Sequence, residues 1–166
     1  HTAYPYPAGI VFDDPDSVGT LIRKLDAAGA KMRAAGLSLS YHNHANEFYR
    51  VGGRTILRQI FDETDQANLQ AELDTYWIQA GGGDVVAWIE SLSGRLPWLH
   101  CKDYAVNPEG KPHFAEVGSG NLEWPAIVAA AEAAGCQWFI VEQDTCAGDP
   151  FVAVADSLSY LKSTFC

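Results

Sequence analysis

The stretch LQAELDTYWIQAGGGDVVAWIESLSGRLPWLHCKD, residues 69–103, decides the fold. It holds two short apolar runs, LQAELD (69–74) and LPWLHC (96–101), with a helical segment from Asp84 to Leu92 between them. Runs of this length bounded by turn residues suit buried strands. Two strands joined through a helix pair in parallel, with a right-handed crossover. Each run also leads into a group able to do chemistry: Asp74 closes the first, and His100 lies at the end of the second.

The same alternation extends in both directions. Upstream, Val18, Leu21, Ile22, Leu25, Ala28 and Met32 recur at three-to-four spacing in a helix from Asp16 to Gly36, with Asp16 or Ser17 as N-cap and Gly36 as stop. The strand LSLSYH (37–42) follows, and a helix from Thr55 to Glu63 leads into LQAELD. Downstream, a helix from Trp124 to Ala134 precedes QWFIVE (137–142), and a last helix runs from about Pro150 to Lys162 behind Asp149 as N-cap. HTAYPYP (1–7) reads as the tail of a fifth strand. Residues 1–166 therefore form one α/β domain with a parallel sheet, without an internal repeat.

Alternation alone fits a doubly wound sheet or a barrel. The polar residues separate the two, because a (β/α)8 barrel gathers its reactive groups at the carboxyl ends of its strands. Here the strands run into Tyr41-His42-Asn43-His44 and on to Glu47, into Asp74, into His100 and into Glu142. The glycines Gly81, Gly82 and Gly83 lack the GxGxxG spacing and do not directly follow a strand, which argues against a nucleotide site.

Composition narrows the partners. A formal charge of −10, with 21 acidic and 11 basic residues and no basic stripe, excludes nucleic acid and anionic membrane surfaces. No apolar run reaches the roughly 18 residues of a membrane span. Cys101, Cys136, Cys146 and Cys166 form no CxxC pair, so free thiols in a reducing, cytoplasmic setting are expected. A small-molecule substrate remains the natural partner.

Three carboxylates and an imidazole form a mixed oxygen and nitrogen donor set, suited to Mn2+, Mg2+ or Co2+ more than to structural zinc. Each candidate also has a plainer reading. Asp74 would serve as an N-cap, but the next recognisable helix begins only near Asp84, so the ligand reading is preferred. His100 would be a core histidine hydrogen-bonded to a carbonyl. Glu142 follows the fully apolar Trp138-Phe139-Ile140-Val141 and needs a cation nearby, with Asp144 two residues on. Glu47 lies in a loop where a surface role is equally open.

Five ordered motifs carry a family resemblance: YHNHANEF (41–48), ELDTYW (72–77), GRLPWLHCKD (94–103), EVGSGNLEW (116–124) and FIVEQD (139–144). Together they resemble the sugar phosphate isomerase/epimerase superfamily with the xylose isomerase-like TIM barrel, in its YHNHxxEF branch. That resemblance implies that the chain is the C-terminal half of a (β/α)8 barrel, from about strand 4 or 5 to strand 8. It implies a divalent metal, Mn2+ foremost with Mg2+, Co2+ or Zn2+ as substitutes, held by Glu47, Asp74, His100 and Glu142. It also implies Glu47 and Glu142 as the acid/base pair and His42, His44, Trp77 and Lys102 as substrate-binding residues. Free-ketose 3-epimerases of this type carry a histidine where this chain has Trp77 and an arginine where it has Val106. A keto-sugar, keto-glycoside or inosose substrate fits better than a free ketose.

The implied chemistry is removal of a proton next to a ketone, through an enediolate, giving isomerisation or epimerisation. Loss of a β leaving group at the same site would make a dehydratase or lyase, and a half-barrel subunit that only binds sugar is the non-enzymatic alternative. A closed barrel needs eight strands, so the chain is expected to be a fragment or to be completed by a second chain, possibly another copy. The long connection from Asp103 to Gly120, with the turn signal Asn107-Pro108-Glu109-Gly110, is expected to form a hairpin or lid over the mouth.

Overall fold

The computed structural model describes residues 1–166. From the start, β1 (Thr2–Tyr4) leads to α1 (Pro15–Ala34), β2 (Leu39–His42), a 3-10 turn (Ala45–Phe48) and the short ribbon β3 (Arg50–Val51) and β4 (Arg54–Thr55). Then come α2 (Ile56–Asp62), β5 (Leu69–Asp74), α3 (Thr75–Ala80), α4 (Val85–Ser91) and β6 (Trp98–Cys101). The hairpin β7 (Asp103–Val106) and β8 (Pro112–Ala115) is followed by α5 (Trp124–Ala133), β9 (Trp138–Val141) and α6 (Pro150–Phe165).

The main sheet has the order β1-β2-β5-β6-β9, and every pairing in it is parallel. Spatial order follows chain order without the reversal that marks a doubly wound sheet. Each crossover returns on the same side, and the sheet curls into half of a barrel, as the strand-end residues suggested. Strand periodicity splits the side chains between two faces. Leu39, Tyr41, Leu69, Ala71, Leu73, Leu99 and Cys101 join Val18, Leu21, Ile22, Leu25, Ile89 and Ile127 of the helices in one hydrophobic core. Ser40, His42, Glu72, Asp74, Trp98 and His100 alternate with them and line the concave face.

Local chemistry explains most element ends. α1 starts behind Asp14, whose side chain accepts from the Asp16 amide while Pro15 takes the first position, two residues earlier than the expected cap. α6 begins behind Asp149 as expected and runs on past Lys162 to Phe165, which packs against the core. At the amino end of β5, the buried Arg95 donates to the carbonyls of Leu69 at 2.7 Å and Phe61 at 2.6 Å and to Thr64 Oγ1 at 2.6 Å. That guanidinium ties the start of the strand to the helix before it.

α3 is a departure from the sequence expectation, which placed no helix between Asp74 and Asp84. It starts directly at the end of β5, capped by Asp74 itself, whose side chain accepts from the Trp77 amide at 2.9 Å. The connection after β6 does form the expected hairpin, β7 paired antiparallel with β8. All four cysteines are free. No helix is long and apolar enough to cross a membrane. β1 and β9 each keep one unpaired edge, and Trp138 on β9 is 63% exposed.

Candidate metal centre

Strand register brings the site together. His42 pairs with Glu72 and Asp74 pairs with His100, so four functional side chains occupy two adjacent rungs at the carboxyl end of the sheet. Paired residues on parallel strands project to the same side, which is why residues distant in sequence converge here. Glu142 and Asp144 arrive from the segment after β9, and Lys102 from the residue after β6.

One ligand atom each from His42, Asp74 and His100 lies within 4.8 Å of the others. Asp74 divides its carboxylate between two tasks. One oxygen caps α3, while Oδ2 lies 3.7 Å from His42 Nε2 and 3.1 Å from Lys102 Nζ without a hydrogen bond. Glu142 Oε2 is 2.6 Å from His100 Nδ1 and 3.2 Å from Lys102 Nζ, and Lys102 donates to Asp144 at 2.5 Å. Below them, Glu72 Oε1 lies 2.8 Å from His100 Nε2 and 3.5 Å from His42 Nδ1.

The donor set fits a divalent cation. His42 Nδ1, Glu72 Oε2, Asp74 Oδ2 and His100 Nδ1 are buried polar atoms without a hydrogen-bond partner, all in one place. Each such atom costs about 1–3 kcal/mol; Asp74 Oδ2 and His100 Nδ1 are placed to be satisfied by a cation, while His42 Nδ1 faces Glu72 Oε1 at 3.5 Å. Two imidazoles and two carboxylates are a donor combination that Mn2+, Co2+ or Zn2+ accepts more readily than Mg2+ does.

Charge states follow the same contacts. Burial would lower the His100 imidazole, but Glu142 and Glu72 on its two nitrogens outweigh it and lift the group to about 9. Glu142, held by His100 and Lys102, is depressed to about 2. Glu72 also falls to about 2, because the two histidines overcome the opposing effect of burial. Burial pushes Asp74 up, with Lys102 pulling it back. Lys102 is raised, since Asp74, Asp144 and Glu142 outweigh its desolvation. At the mouth, burial lowers His44 to about 4 and keeps it neutral.

Of the expected metal ligands, Asp74, His100 and Glu142 meet, and Glu47 does not join them. Its fully buried carboxylate accepts from the Tyr41 hydroxyl at 2.7 Å and from the His44 amide at 2.9 Å, closing the 3-10 turn as the third residue of a capping box. Burial raises it, while those two bonds pull it back. His42, expected to bind substrate, takes the place at the cluster that Glu47 was expected to fill. Asp74 meets both of its sequence readings at once, as N-cap and as a member of the cluster. Lys102 lies among the carboxylates, and His44 and Trp77 face each other at the mouth with ring centroids 5.4 Å apart. Glu72 escaped the sequence reading, although its position two residues before Asp74 on a strand puts it on the same face.

The hairpin β7–β8 roofs this mouth. Phe114 stacks on Tyr76 at 3.9 Å and meets Trp77 edge-on at 5.7 Å. Asp103 holds its base, accepting from the amides of Tyr104, Gly118, Gly120 and Leu122 and from Trp124 Nε1 at 2.7 Å. A side chain at residue 120 would collide with that carboxylate, so glycine is required there.

Residues 2–164 match the family described as xylose isomerase-like TIM barrel. Among solved structures, a sugar phosphate isomerase/epimerase from Parabacteroides distasonis superposes with a TM-score of 0.83 at 28% identity, over 98% of this chain and 57% of that one. A second from the same organism gives 0.82 at 25% identity, over 98% of this chain and 58% of that one. The 3-keto-D-glucoside 4-epimerase of E. coli gives 0.66 at 17% identity, over 95% and 57%, which shows a shared fold alone. The chain thus spans a little over half the length of these structures. No curated protein matches it.

Proposed function

This chain belongs to the xylose isomerase-like TIM barrel family, and on that premise we propose that it forms the catalytic half of a divalent-metal-dependent isomerase or epimerase acting on a keto-sugar. The observation that carries this reading is the meeting of His42, Asp74 and His100 at adjacent strand ends, with Glu142 and Lys102 at their rim. His42, Asp74 and His100 would hold the metal, with Glu142 as a fourth donor; Mn2+ is the first choice. When bound, such a cation supplies Lewis-acid polarisation of a ketone oxygen. Glu142, which its neighbours keep ionised, removes the proton from the adjacent carbon. Lys102, protonated and 3.2 Å from Glu142, donates a proton to the enediolate carbon, and the proton taken by Glu142 passes back to Lys102, so that both groups end the turnover as they began. His44 and Trp77 contact the sugar at the mouth.

The expected acid/base pair of Glu47 and Glu142 requires the 3-10 turn to open and the Tyr41–Glu47 bond to break. Proton donation by Lys102 requires neither. The two unpaired edges and the exposed Trp138 on the concave side support closure of the barrel by further strands, from a longer polypeptide or a second chain.

The test is exchange of the α-proton with solvent deuterium, followed by NMR on a panel of keto-sugars that includes a 3-keto-glucoside, with Mn2+ added back after chelation. We expect metal-dependent exchange that Lys102→Met or Glu142→Gln reduces at least a hundredfold and Glu47→Gln leaves within about tenfold. Exchange that survives complete metal removal would defeat the proposal, and loss in Glu47→Gln with retention in Lys102→Met would restore the two-carboxylate pair.

A further inference from the structure

Both histidines of the cluster turn one ring nitrogen toward the same carboxylate. Glu72 Oε1 is 2.8 Å from His100 Nε2 and 3.5 Å from His42 Nδ1. The opposite nitrogens face the carboxylates of the centre: His100 Nδ1 is 2.6 Å from Glu142 Oε2, and His42 Nε2 is 3.7 Å from Asp74 Oδ2. The two rings are neighbours, with centroids 4.6 Å apart. A neutral imidazole carries a proton on one nitrogen and a lone pair on the other, and a carboxylate beside one nitrogen fixes the proton there. Glu72 itself is nearly fully buried, one rung deeper than Asp74, and its second oxygen has no hydrogen-bond partner.

We propose that Glu72 is a positioning residue for the metal centre: one carboxylate takes the ring N–H of both His100 and His42, so that His100 Nδ1 and His42 Nε2 present their lone pairs to the cation. The inference rests on the metal reading given above and extends it. Glu72 does not touch the metal or the substrate; it sets the tautomer and orientation of two groups that touch the metal. Carboxylate partners of metal-bound histidines commonly raise metal affinity by about 10–100-fold, and a partner shared between two ligands falls within that range. The Glu72–His42–His100 arrangement also explains a buried carboxylate that neither caps a helix nor meets a lysine or arginine.

A double-mutant cycle on Mn2+ affinity, measured by calorimetry on the intact protein, tests this. Glu72→Gln alone should weaken binding by about 10–100-fold, and Co2+ bound in its place should show a shifted visible absorption spectrum. In a His100→Ala background the same change should weaken binding by less than about threefold, because much of its action runs through that ring. Glu72→Asp, carried through the same cycle, gives the answer should Glu72→Gln fail to fold. A full loss persisting in the His100→Ala background would overturn the proposal, since Glu72 would then act as a ligand or a bulk charge. Absence of Mn2+ and Co2+ binding in the unaltered protein would instead defeat the metal reading, and the positioning role with it.

Discussion

Arg95 and Asp103 are buried charges just as Asp74 and Lys102 are, with His100 partly buried beside the latter pair, yet the two groups live in opposite circumstances. Arg95 donates to the carbonyls of Phe61, Leu69 and Thr64 and to the Thr64 hydroxyl; Asp103 accepts four amides and an indole N–H. Both are saturated by neutral backbone and side-chain groups, with no opposite charge in contact. At the strand ends, four buried polar atoms of His42, Glu72, Asp74 and His100 have no hydrogen-bond partner, although opposite charges crowd around them. Burial of charge therefore does not mark the site. Unspent hydrogen-bonding capacity distinguishes the strand ends, and under the proposed function the contrast separates residues that hold the fold from residues that serve the metal centre.

Substitution should separate them experimentally. Asp103→Ala strands five donors at the base of the hairpin and should cost on the order of 4 kcal/mol of stability, read from the urea midpoint at constant m-value. Mn2+ affinity of the remaining folded protein should stay within about threefold. A stability loss below about 1 kcal/mol would erase the distinction from the anchor side.

Asp74→Asn should do the reverse. The amide oxygen still caps α3, while a buried charge disappears, so stability should move by no more than about 1 kcal/mol. Mn2+ affinity should fall at least a hundredfold, about 2.8 kcal/mol on a binding scale of 1.4 kcal/mol per decade. Unchanged metal binding in this variant would show that the crowded strand ends are only structural.

Acid–base linkage sharpens the comparison by a smaller step. His100 is held protonated up to about 9, so a metal must displace its proton, and apparent Mn2+ affinity should rise by about tenfold per pH unit from 7 to 9. For the metal-free protein the sign is opposite. The His100 contribution to stability is complete below its unfolded value of about 6.5 and is lost as pH rises through about 9. Glu72 and Glu142, depressed to about 2, contribute above their unfolded value of about 4.3 and lose it as pH falls toward 2. Flat metal affinity between pH 7 and 9 would remove His100 from the ligand set.

The half-barrel was legible in the sequence because each strand is short, apolar and closed by a polar residue, a pattern that survives without knowledge of pairing. The convergence of Asp74, His100 and Glu142 at the strand ends was legible for the same reason. Register was not: it is a long-range property, and it alone puts His42 beside Glu72 and both beside Asp74. Glu72 was read as one more strand residue for lack of it. Glu47 was read as a ligand and sits instead in the closed turn, because a glutamate three residues past His44 looks the same whether it reaches a metal or closes a turn. α3 was hidden because its six residues, Thr-Tyr-Trp-Ile-Gln-Ala, have middling helix propensity and follow the strand without a break. The single side chain that caps this helix was already assigned to another task.

The hairpin over the mouth has its fixed points at one end. Asp103 fastens the loop that leads away from β8, the Val117 amide binds Ser157 of α6, and Phe114 rests on Tyr76. Between Val106 and Lys111 the hydrogen bonds of the tip are internal, with Asn107 accepting from the amides of Glu109 and Lys111 and donating its own amide to the Lys111 carbonyl. For descent with modification, this makes the tip a freely exchangeable cassette. Insertions and deletions between Val106 and Lys111 leave every anchor intact while changing what overhangs the strand ends that carry His42, Asp74 and His100. Under the proposed function, a lineage keeping that cluster is free to sample many substrates, and a laboratory library confined to those six positions would follow the same route.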